Sequence, residues 1–260
     1  MSPINIISDG DAILDSERPF LTADWVVPEH IKTLISTRQG GISEPPYQSM
    51  NLGLHVGDNV EHVLQNRAIV AQQTHLPICY LNQVHGNIVV NAQEALDQNV
   101  DADASVDRSG KIACGVMTAD CLPVLFTDTE GTVVGAAHAG WRGLAGGVLE
   151  ATVEKMAVLP KNILAFLGPA IGPDAFEVGQ DVKDTFCQQT AEASRFFMPI
   201  NEKQYLADIY GLARLRLNQM GLEQISGGEY CTVLRRDLFF SYRRDGGQTG
   251  RMLSAIWIDH

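Results

Sequence analysis

Apolar residues recur along this chain in two patterns, one typical of helices and the other of short buried strands. The clearest helical pattern follows residue 59, where the apolar positions at helical intervals are Val60, Val63, Leu64, Ala68 and Ala71. Asp58, with Glu61 three residues later, has the spacing of a capping box. The pattern therefore predicts a helix that begins after Asp58 and runs to about residue 75.

A second helix is predicted to begin near Gly143, because its apolar positions fall on one face. Those positions are Ala145, Val148, Leu149, Thr152, Val153 and Met156. Two further helices are predicted at residues 181–190 and 204–220. Apolar runs between turn-forming residues predict strands at 33–38, 78–84, 88–90, 112–117, 122–126, 132–137, 163–167, 230–234, 238–242 and 252–258.

Clustered strands with helices between them predict an α+β (mixed α/β) fold of layered mixed sheets flanked by helices. Residues 1–30 carry scattered apolar positions and are expected to form a peripheral N-terminal segment. Residues 31–260 contain no repeat, low-complexity tract or long linker, so we expect them to form one domain.

The amino-acid composition limits which binding partners and which cellular compartment are expected. The chain has 260 residues, a 45% hydrophobic content and a formal net charge of −12. Such a charge repels nucleic acid and anionic membranes, so neither is expected as a partner, and an anionic substrate would need a local basic pocket. We see no secretion signal and no apolar run of membrane-spanning length. Five irregularly spaced cysteines favour a reduced, cytoplasmic setting.

Three residues stand out as candidate metal ligands, namely His85, Cys121 and His138. Each is predicted to lie where a strand ends beside small or turn-forming residues, a position from which a sheet can direct side chains into a cleft. Two imidazoles and one thiolate suit zinc, and three protein ligands leave a fourth position open, as in catalytic zinc sites. Spacing alone is also compatible with ordinary buried or surface residues.

The residues next to these ligands indicate an anion site and a proton-transfer group. His138 leads into a segment of small residues and a predicted helix, whose N-terminus and Arg142 favour an anion. An ordinary turn with a solvated arginine has the same pattern. Asp120, beside Cys121, is the candidate for proton transfer, although a strand neighbour points to the opposite face and could instead hold backbone in place.

Other residues are candidate substrate contacts. Arg38 lies at a predicted strand end, and Asn51 lies in an Asn-Leu-Gly segment. The rings of Trp141 and Tyr242 could stack a base, and Arg243 could bind phosphate, although a surface ion-pair patch explains residues 240–245 equally well. Gln83, two residues before His85, is a further candidate substrate contact.

Seven segments in order along the chain resemble the YfiH-type laccase-domain family. They are residues 37–41, 51–53, 82–86, 118–124, 138–143, 168–173 and 240–245. This family was first labelled multicopper polyphenol oxidase and is now described as zinc-dependent purine nucleoside phosphorylase. The resemblance runs from about residue 33 to 258, and its segments around Cys121 and His138 are long and specific.

The resemblance implies a layered α+β fold related distantly to cysteine-hydrolase-like toxin domains, with His85, Cys121 and His138 as the metal ligands. It implies phosphorolysis of adenosine, inosine and methylthioadenosine, with adenosine deamination as a further activity. The implied partners are purine nucleosides and phosphate, and the implied cofactor is Zn²⁺.

Three alternatives stay open. Cys121 and His138 could serve a metal-free cysteine hydrolase as nucleophile and base, which leaves His85 without a role. A site of two histidines and one cysteine can also hold Cu²⁺ for phenol oxidation, although seven histidines are few for multicopper chemistry. A structural zinc module would need a fourth protein ligand and a closed site.

Overall fold

The protein is represented by a computed structural model, which describes residues 18–96, 98 and 100–260. The strands, in chain order, are β1 (Phe20–Leu21), β2 (Ile31–Ser36), β3 (Ile78–Cys79), β4 (Val89–Asn91), β5 (Ala104–Asp107), β6 (Ala113–Thr118), β7 (Leu122–Asp128), β8 (Val134–Ala139), β9 (Ile163–Leu167), β10 (Glu177–Gly179), β11 (Phe197–Pro199), β12 (Gln204–Ala207), β13 (Gln224–Gly227) and β14 (Met252–Ile258).

The α-helices, in chain order, are α1 (Val60–Thr74), α2 (Ala92–Ala95), α3 (Trp141–Gly146), α4 (Val148–Met156), α5 (Gln180–Cys187) and α6 (Ile209–Gln219). Short 3₁₀ turns lie at Pro160–Asn162 and Ala191–Phe196. Within the part of the chain that the structure covers, no helix is both long enough and apolar enough to span a bilayer.

The strands form two large mixed sheets and a small one. The first has the order β1-β2-β14-β6-β3 and the second the order β13-β9-β7-β8-β5-β4. Both contain parallel pairs at their edges, such as β3 with β6 and β4 with β5, beside antiparallel pairs in their centres. A three-stranded sheet, β10-β12-β11, lies apart from them. The predicted α+β fold of mixed sheets and helices is confirmed.

Apolar faces arrange these elements in four layers. The two large sheets pack face to face, with Ile35, Val116 and Ile256 from the first sheet in one cluster with Leu125 and Phe166 from the second. Helix α1 covers the outer face of the first sheet through Val70. Helices α4 and α6 cover the outer face of the second sheet. Burial on both faces explains why the central strands are apolar at nearly every position.

Several predicted elements agree closely with the structure. The strands at Ile163–Leu167 and Met252–Ile258 are confirmed at both ends, and α1 is confirmed with its end at Thr74. Its N-cap, however, is Asn59 and not Asp58, because the Asn59 side chain accepts from the backbone N–H of Glu61 at 2.9 Å. The apolar face predicted for the second helix is buried, but a left-handed Gly147 divides that helix into α3 and α4.

Two predicted elements were wrong over part of their length. Residues 204–220 begin with a strand, Gln204–Ala207, and become helical only after the Asp208 N-cap. The strand predicted at residues 78–84 ends at Cys79. In each case an apolar run continued past the point where tertiary pairing changes the backbone.

The predicted strands at 230–234 and 238–242 are turns and irregular backbone, with Cys231 in an isolated bridge to Ala170. Side chains from elsewhere replace the strand ladder here. Arg244 donates to the carbonyls of Thr232 and Phe239, at 2.7 and 3.0 Å, and the backbone N–H of Arg38 donates to the Leu238 carbonyl at 2.8 Å.

The predicted peripheral segment at residues 1–30 is covered only in part. Residues 1–17 lie outside the described residues. Phe20 and Leu21 form an edge strand that pairs with Ser36 and Ile35, and both are buried.

Candidate metal centre and cleft

The three candidate ligands meet where the two large sheets adjoin. His85 lies in the loop between β3 of the first sheet and β4 of the second, Cys121 lies in the turn from β6 to β7, and His138 lies on β8. One ligand atom from each residue lies within 4.8 Å of the others. Cys121 Sγ is 3.9 Å from His85 Nε2, and the two imidazole rings lie edge to face with their centroids 4.8 Å apart.

A buried carboxylate, Asp103, orients the His138 ring. Its Oδ1 lies 2.8 Å from His138 Nδ1, and both side chains are almost fully buried. The carboxylate accepts a hydrogen bond from the Nδ1–H group. The lone pair of Nε2 is then directed toward Cys121 and His85. The backbone N–H of His138 also donates to the Asp103 carbonyl at 2.7 Å, so ring and backbone are fixed by one residue.

The same carboxylate holds the turn that carries His85. It accepts hydrogen bonds from the backbone N–H groups of Val84, His85 and Gly86 at 3.2, 2.9 and 2.6 Å. His85 adopts a left-handed φ of 61°, which is uncommon for a residue with a side chain. Three N–H donors on one buried carboxylate stabilise this conformation and direct an otherwise exposed imidazole toward the cysteine.

Gly140 leaves space beside the three ligand atoms. A Cβ atom at this position would lie 3.0 Å from Cys121 Sγ, 3.1 Å from His85 Cδ2 and 3.6 Å from His138 Nε2. Gly140 is also the N-cap of α3. A glycine here therefore keeps open a volume that any other side chain would fill.

Electrostatic coupling favours a thiolate at Cys121. Burial raises the pKa of this thiol, but the charge and hydrogen bonds of His138 and His85 outweigh burial and lower the pKa to about 6. For His138, burial lowers the pKa, whereas the Cys121 thiolate and the Asp103 carboxylate raise it to about 9. Burial likewise raises the pKa of Asp103, and the bonds from His138 and the turn N–H groups bring it below its usual range.

This donor set could bind a metal ion. Donors bound to one tetrahedral ion at about 2.0–2.3 Å lie roughly 3.5 Å apart, close to the 3.9 Å between Cys121 Sγ and His85 Nε2. The thiolate, the tautomer of His138 and the space beside Gly140 all fit a metal.

A cleft of about 620 Å³ opens over the three residues. Its aromatic walls include Trp141, Phe176 and Tyr242, and its charged walls include Arg142, Arg243 and Arg251. Asp120 supplies the acidic side chain of the lining. A chain of net charge −12 thus has a locally basic cleft, of the kind that an anionic substrate would need.

The predicted site residues divide into two groups. Those that line the cleft with the metal ligands are Gln83, Asp120, Trp141, Arg142, Tyr242 and Arg243. Arg38 and Asn51 are not part of this lining. The guanidinium of Arg38 donates to the carbonyls of Gln48 and Arg236, and the fully buried Asn51 bonds Gly53, Asp58 and Arg251. Both residues fix loops through these hydrogen bonds, and their assignment as substrate contacts stays a prediction.

Two lining residues have side chains that other parts of the chain already engage. The Gln83 amide exchanges two hydrogen bonds with the backbone of Met117, at 2.8 and 2.7 Å. The Asp120 carboxylate accepts from Thr232 Oγ1, Ser241 Oγ and the Arg243 N–H at 2.6, 3.0 and 2.7 Å. Asp120 therefore anchors the turns of residues 232–243, and its prediction as a proton-transfer group remains a prediction.

Sequence reasoning missed Asp103, Arg251 and His55. An aspartate between two alanines, directly before a buried strand, was the available signal for Asp103, because a buried carboxylate requires partners. Arg251 precedes β14 and His55 lies in a loop, and no local pattern distinguishes either from a solvated residue.

The fold and the site together define a mixed α+β protein whose cleft contains a potential metal centre of two histidines and one cysteine. Residues 32–259 match the family described as multi-copper polyphenol oxidoreductase laccase. The chain belongs to this family, the YfiH-type laccase-domain family that the sequence segments indicated.

Relatives of known name cover almost the whole chain. Purine nucleoside phosphorylase YfiH of Escherichia coli strain K12 is 51% identical over 240 residues, which are 92% of this chain and 98% of that protein. A Pseudomonas aeruginosa protein named purine nucleoside phosphorylase is 47% identical, with the same coverage of 92% and 98%.

Solved structures confirm the fold. The crystal structure of a Neisseria meningitidis protein, 61% identical, superposes with a TM-score of 0.92 and covers 94% of this chain and 100% of that one. YfiH of Bacillus licheniformis, 32% identical, superposes with a TM-score of 0.85 over 93% of this chain and 97% of that one.

Proposed function

We propose that this chain is a zinc-dependent purine nucleoside phosphorylase that acts on adenosine, inosine and methylthioadenosine, with adenosine deamination as a further activity. The observation that carries the proposal is the convergence of His85, Cys121 and His138 at the base of a basic, partly aromatic cleft. The names of the E. coli and P. aeruginosa relatives, similar over nearly their full lengths, support the same reaction.

His85, Cys121 and His138 would hold the ion. A Zn²⁺ ion at this site supplies Lewis-acid chemistry with one coordination position open. Copper is the alternative, since two imidazoles and a thiolate also suit Cu²⁺ and the family's description names that metal. Seven histidines in the whole chain are few for several copper ions, which favours zinc.

The reaction requires the cleft to hold two substrates in line. An oxygen of phosphate forms a bond to C1′ of the ribose, the bond from C1′ to the purine nitrogen breaks, and the purine leaves with that electron pair and takes up a proton. Positioning is one contribution that the cleft residues can make, because holding phosphate and nucleoside in line removes part of the entropic cost of bringing them together. The rings of Trp141 and Tyr242 offer apolar surface for a purine, and the arginines offer donors for phosphate.

Purine phosphorolysis also agrees with the charge of the cleft. Both substrates reach a site lined by three arginines, whose positive charges offset the negative charge of the Asp120 carboxylate in its wall. That carboxylate already accepts three hydrogen bonds from the protein. Repulsion of a phosphate dianion is therefore low despite the acidic surface. Free cysteines at all five positions agree with the cytoplasmic location that we propose for the enzyme, and residues 31–260 are proposed as its single domain.

A metal-free cysteine hydrolase is the second candidate, because one observation favours it. Cys121, His138 and Asp103 form a chain of thiolate, imidazole and carboxylate, the order found in cysteine nucleophile sites. This alternative gives His85 no task, although the Asp103 carboxylate holds the His85 turn as firmly as it holds His138.

One assay separates these functions. Protein of measured metal content is incubated with inosine or adenosine, with and without phosphate, before and after chelation. The proposed enzyme releases free purine only when phosphate is present and loses this activity on chelation, and added Zn²⁺ restores it. Cu²⁺ restoration together with phenol oxidation would instead favour the oxidase, and chelator-resistant activity that iodoacetamide abolishes would favour the hydrolase.

The Cys121→Ala variant gives the matching genetic test. We expect it to lose bound metal and phosphorolysis together, because it removes the anionic ligand. Cys187→Ala is the control, since Cys187 is a half-buried thiol on α5 outside the cleft lining. Phosphorolysis by metal-free Cys121→Ala protein at the wild-type rate would overturn the proposal.

A further inference from the structure

Three arginines line the cleft, and they differ in how many of their guanidinium N–H donors are already bonded to protein acceptors. Both terminal nitrogens of Arg243 donate to the Glu177 carbonyl at 3.1 Å. Arg142 is exposed and lies over the Trp141 ring, with its guanidinium carbon 4.4 Å from the ring centroid. Arg251 is half-buried, so a ligand bound by its guanidinium would be less screened by water than one bound at Arg142.

The backbone of Arg251 is fixed on both sides by the Asn-Leu-Gly segment at residues 51–53. Its N–H donates to Asn51 Oδ1 at 2.9 Å, and its carbonyl accepts from the Leu52 N–H at 3.1 Å. A Cβ atom on Gly53 would lie 2.8 Å from Arg251 Cγ, so the glycine provides the space in which the arginine stem runs. The segment that sequence reasoning took for a substrate contact therefore shapes the position of Arg251.

The guanidinium itself is only partly engaged. Nη1 donates to the carbonyls of Thr249 and Gly250 at 3.0 and 3.1 Å. Across residues 18–96, 98 and 100–260, no protein acceptor lies within hydrogen-bond distance of Nε or Nη2, and no carboxylate forms an ion pair with this residue. These two nitrogens form the fork of an arginine that suits two oxygens of one phosphate.

Arg251 lies among titratable groups of both signs. His55 lines the same cleft, and its pKa is lowered first by burial and then by the charges of Arg251 and Arg67. Arg67 is occupied by the Leu52 carbonyl at 2.9 Å and by the Tyr80 ring. Arg251 lines the same cleft as the three candidate metal ligands. Burial lowers the pKa of Arg251, whereas Cys121, Tyr242 and Asp120 raise it. An anion bound by the guanidinium would offset the charge that burial makes unfavourable.

We infer that Arg251, with the imidazole of His55, forms the subsite that binds inorganic phosphate beside the candidate metal centre. Arg251 donates from Nε and Nη2 to two phosphate oxygens, and the neutral His55 ring donates a third hydrogen bond. The inference rests on the proposed phosphorylase function for its biological meaning. The binding of phosphate at this place is a separate property that can be measured without turnover.

The test compares Arg251→Gln, Arg251→Lys and Gly53→Ala with the wild-type protein. Inorganic phosphate binding is measured by titration calorimetry, and the KM values for phosphate and inosine are measured separately. Loss of a charge-assisted fork should weaken phosphate binding and raise the phosphate KM by about tenfold or more, with the inosine KM changed by less than about twofold. Arg251→Lys, which keeps the charge, should fall between Arg251→Gln and wild type.

Gly53→Ala keeps the guanidinium but displaces its stem, so it should weaken phosphate binding in the same direction. This variant separates the effect of the position of the guanidinium from the effect of its charge. It remains informative if Arg251→Gln unfolds. Arg195→Gln is the matched control for the loss of one positive charge, because Arg195 lies beside Phe196 and is not part of the cleft lining.

Phosphate affinity at the wild-type level in both Arg251→Gln and Gly53→Ala would overturn the inference. A phosphate group on the nucleoside is the other source of the same chemistry. If Arg251→Gln weakened the binding of inosine 5′-monophosphate but not of inorganic phosphate, the subsite would belong to a nucleotide and the inference would be wrong. Wild-type protein that binds phosphate but cleaves no nucleoside would contradict the proposed function alone.

Discussion

At the scale of single residues, Asp103 organises more of the site than any of the predicted ligands. Its carboxylate is fully buried, yet it accepts from the ring of His138 and from three backbone N–H groups around His85. A buried carboxylate is costly unless such donors surround it. Its conformation and that of both imidazoles are thus mutually dependent.

Asp103→Asn should weaken metal binding by about 10- to 100-fold. If the amide oxygen stays on His138, the amide NH₂ faces the N–H groups of Val84 and Gly86, which are donors as well. If the amide is reversed, its NH₂ faces His138 Nδ1 and favours the tautomer with a proton on Nε2. Affinity is measured by competition with a chromophoric chelator, and the tautomer by nitrogen chemical shifts of the imidazole.

Asp101→Asn is the matched control, because Asp101 lies two residues away and is exposed, paired with Asn82. It carries the same change of charge and should bind metal like the wild-type protein. Equal affinity in Asp103→Asn and Asp101→Asn would show that Asp103 supports the fold without positioning the imidazoles.

The three ligands could be proposed from the sequence because their chemistry is distinctive wherever they lie in the chain. The residues that position them could not, since Asp103, Asp120 and Arg251 each act through partners that are distant in sequence. Asp120 bonds residues 112 to 123 positions away, for example, and that pairing exists only in the folded chain. The loop-fixing hydrogen bonds of Arg38 and Asn51 were hidden for the same reason, because their partners are identified only in the folded chain.

At the scale of elements, the local pattern of apolar residues predicted those strands and helices whose packing in the fold matches that pattern. The central strands β7, β8, β9 and β14 are apolar at most positions and were all located. Residues 230–242 carry similarly apolar residues, but the side chains of Arg244 and Asp120 bond this segment and hold it in turns. Short edge strands such as β10, β11 and β13 were missed, since three or four residues carry little periodic signal.

The break between α3 and α4 gives a test at this scale. Gly147 has a φ of 91°, so Gly147→Ala should destabilise the protein by about 1–2 kcal/mol, because side chains clash with the backbone in the left-handed region. The adjacent Gly146 is helical and has no atom within 4 Å of an added Cβ. Gly146→Ala should therefore be neutral or stabilise by up to about 1 kcal/mol.

Chemical denaturation of both variants measures the difference. The two substitutions add the same methyl group at neighbouring positions, so the change of composition is the same and only the backbone conformation at the site differs. Equal stability of the two proteins would mean that α3 and α4 can join into one straight helix at no cost.

At the scale of the whole molecule, the candidate metal centre lies on a framework held by the protein's own side chains. The three residues lie at the edge of a two-sheet core whose buried residues come from both sheets, and Asp103 bonds the His138 ring and the His85 backbone. Removing the metal should therefore leave the fold intact. This expectation contrasts with small structural zinc modules, which unfold without the ion.

Chelation should lower the melting temperature by roughly 5–10 °C. This is the shift expected in a chain of this size when a ligand whose free concentration is about 100-fold above its Kd is removed. The far-ultraviolet circular dichroism spectrum at 25 °C should be unchanged. The Cys121→Ala variant, which we expect to lack the metal, should show no further shift on addition of chelator. Unfolding of the wild-type protein on chelation would instead identify a structural zinc module.

Cys121 occupies the turn that carries the chain from the first large sheet to the second, and the two histidines belong to the second sheet and to the loop that enters it. Neither sheet alone contains the complete donor set. During refolding, an intermediate that has formed its strands but not yet brought the sheets together would take up no ion with native affinity. The time course of metal uptake would therefore report when the two sheets dock, whereas the time course of circular dichroism would report when the strands form.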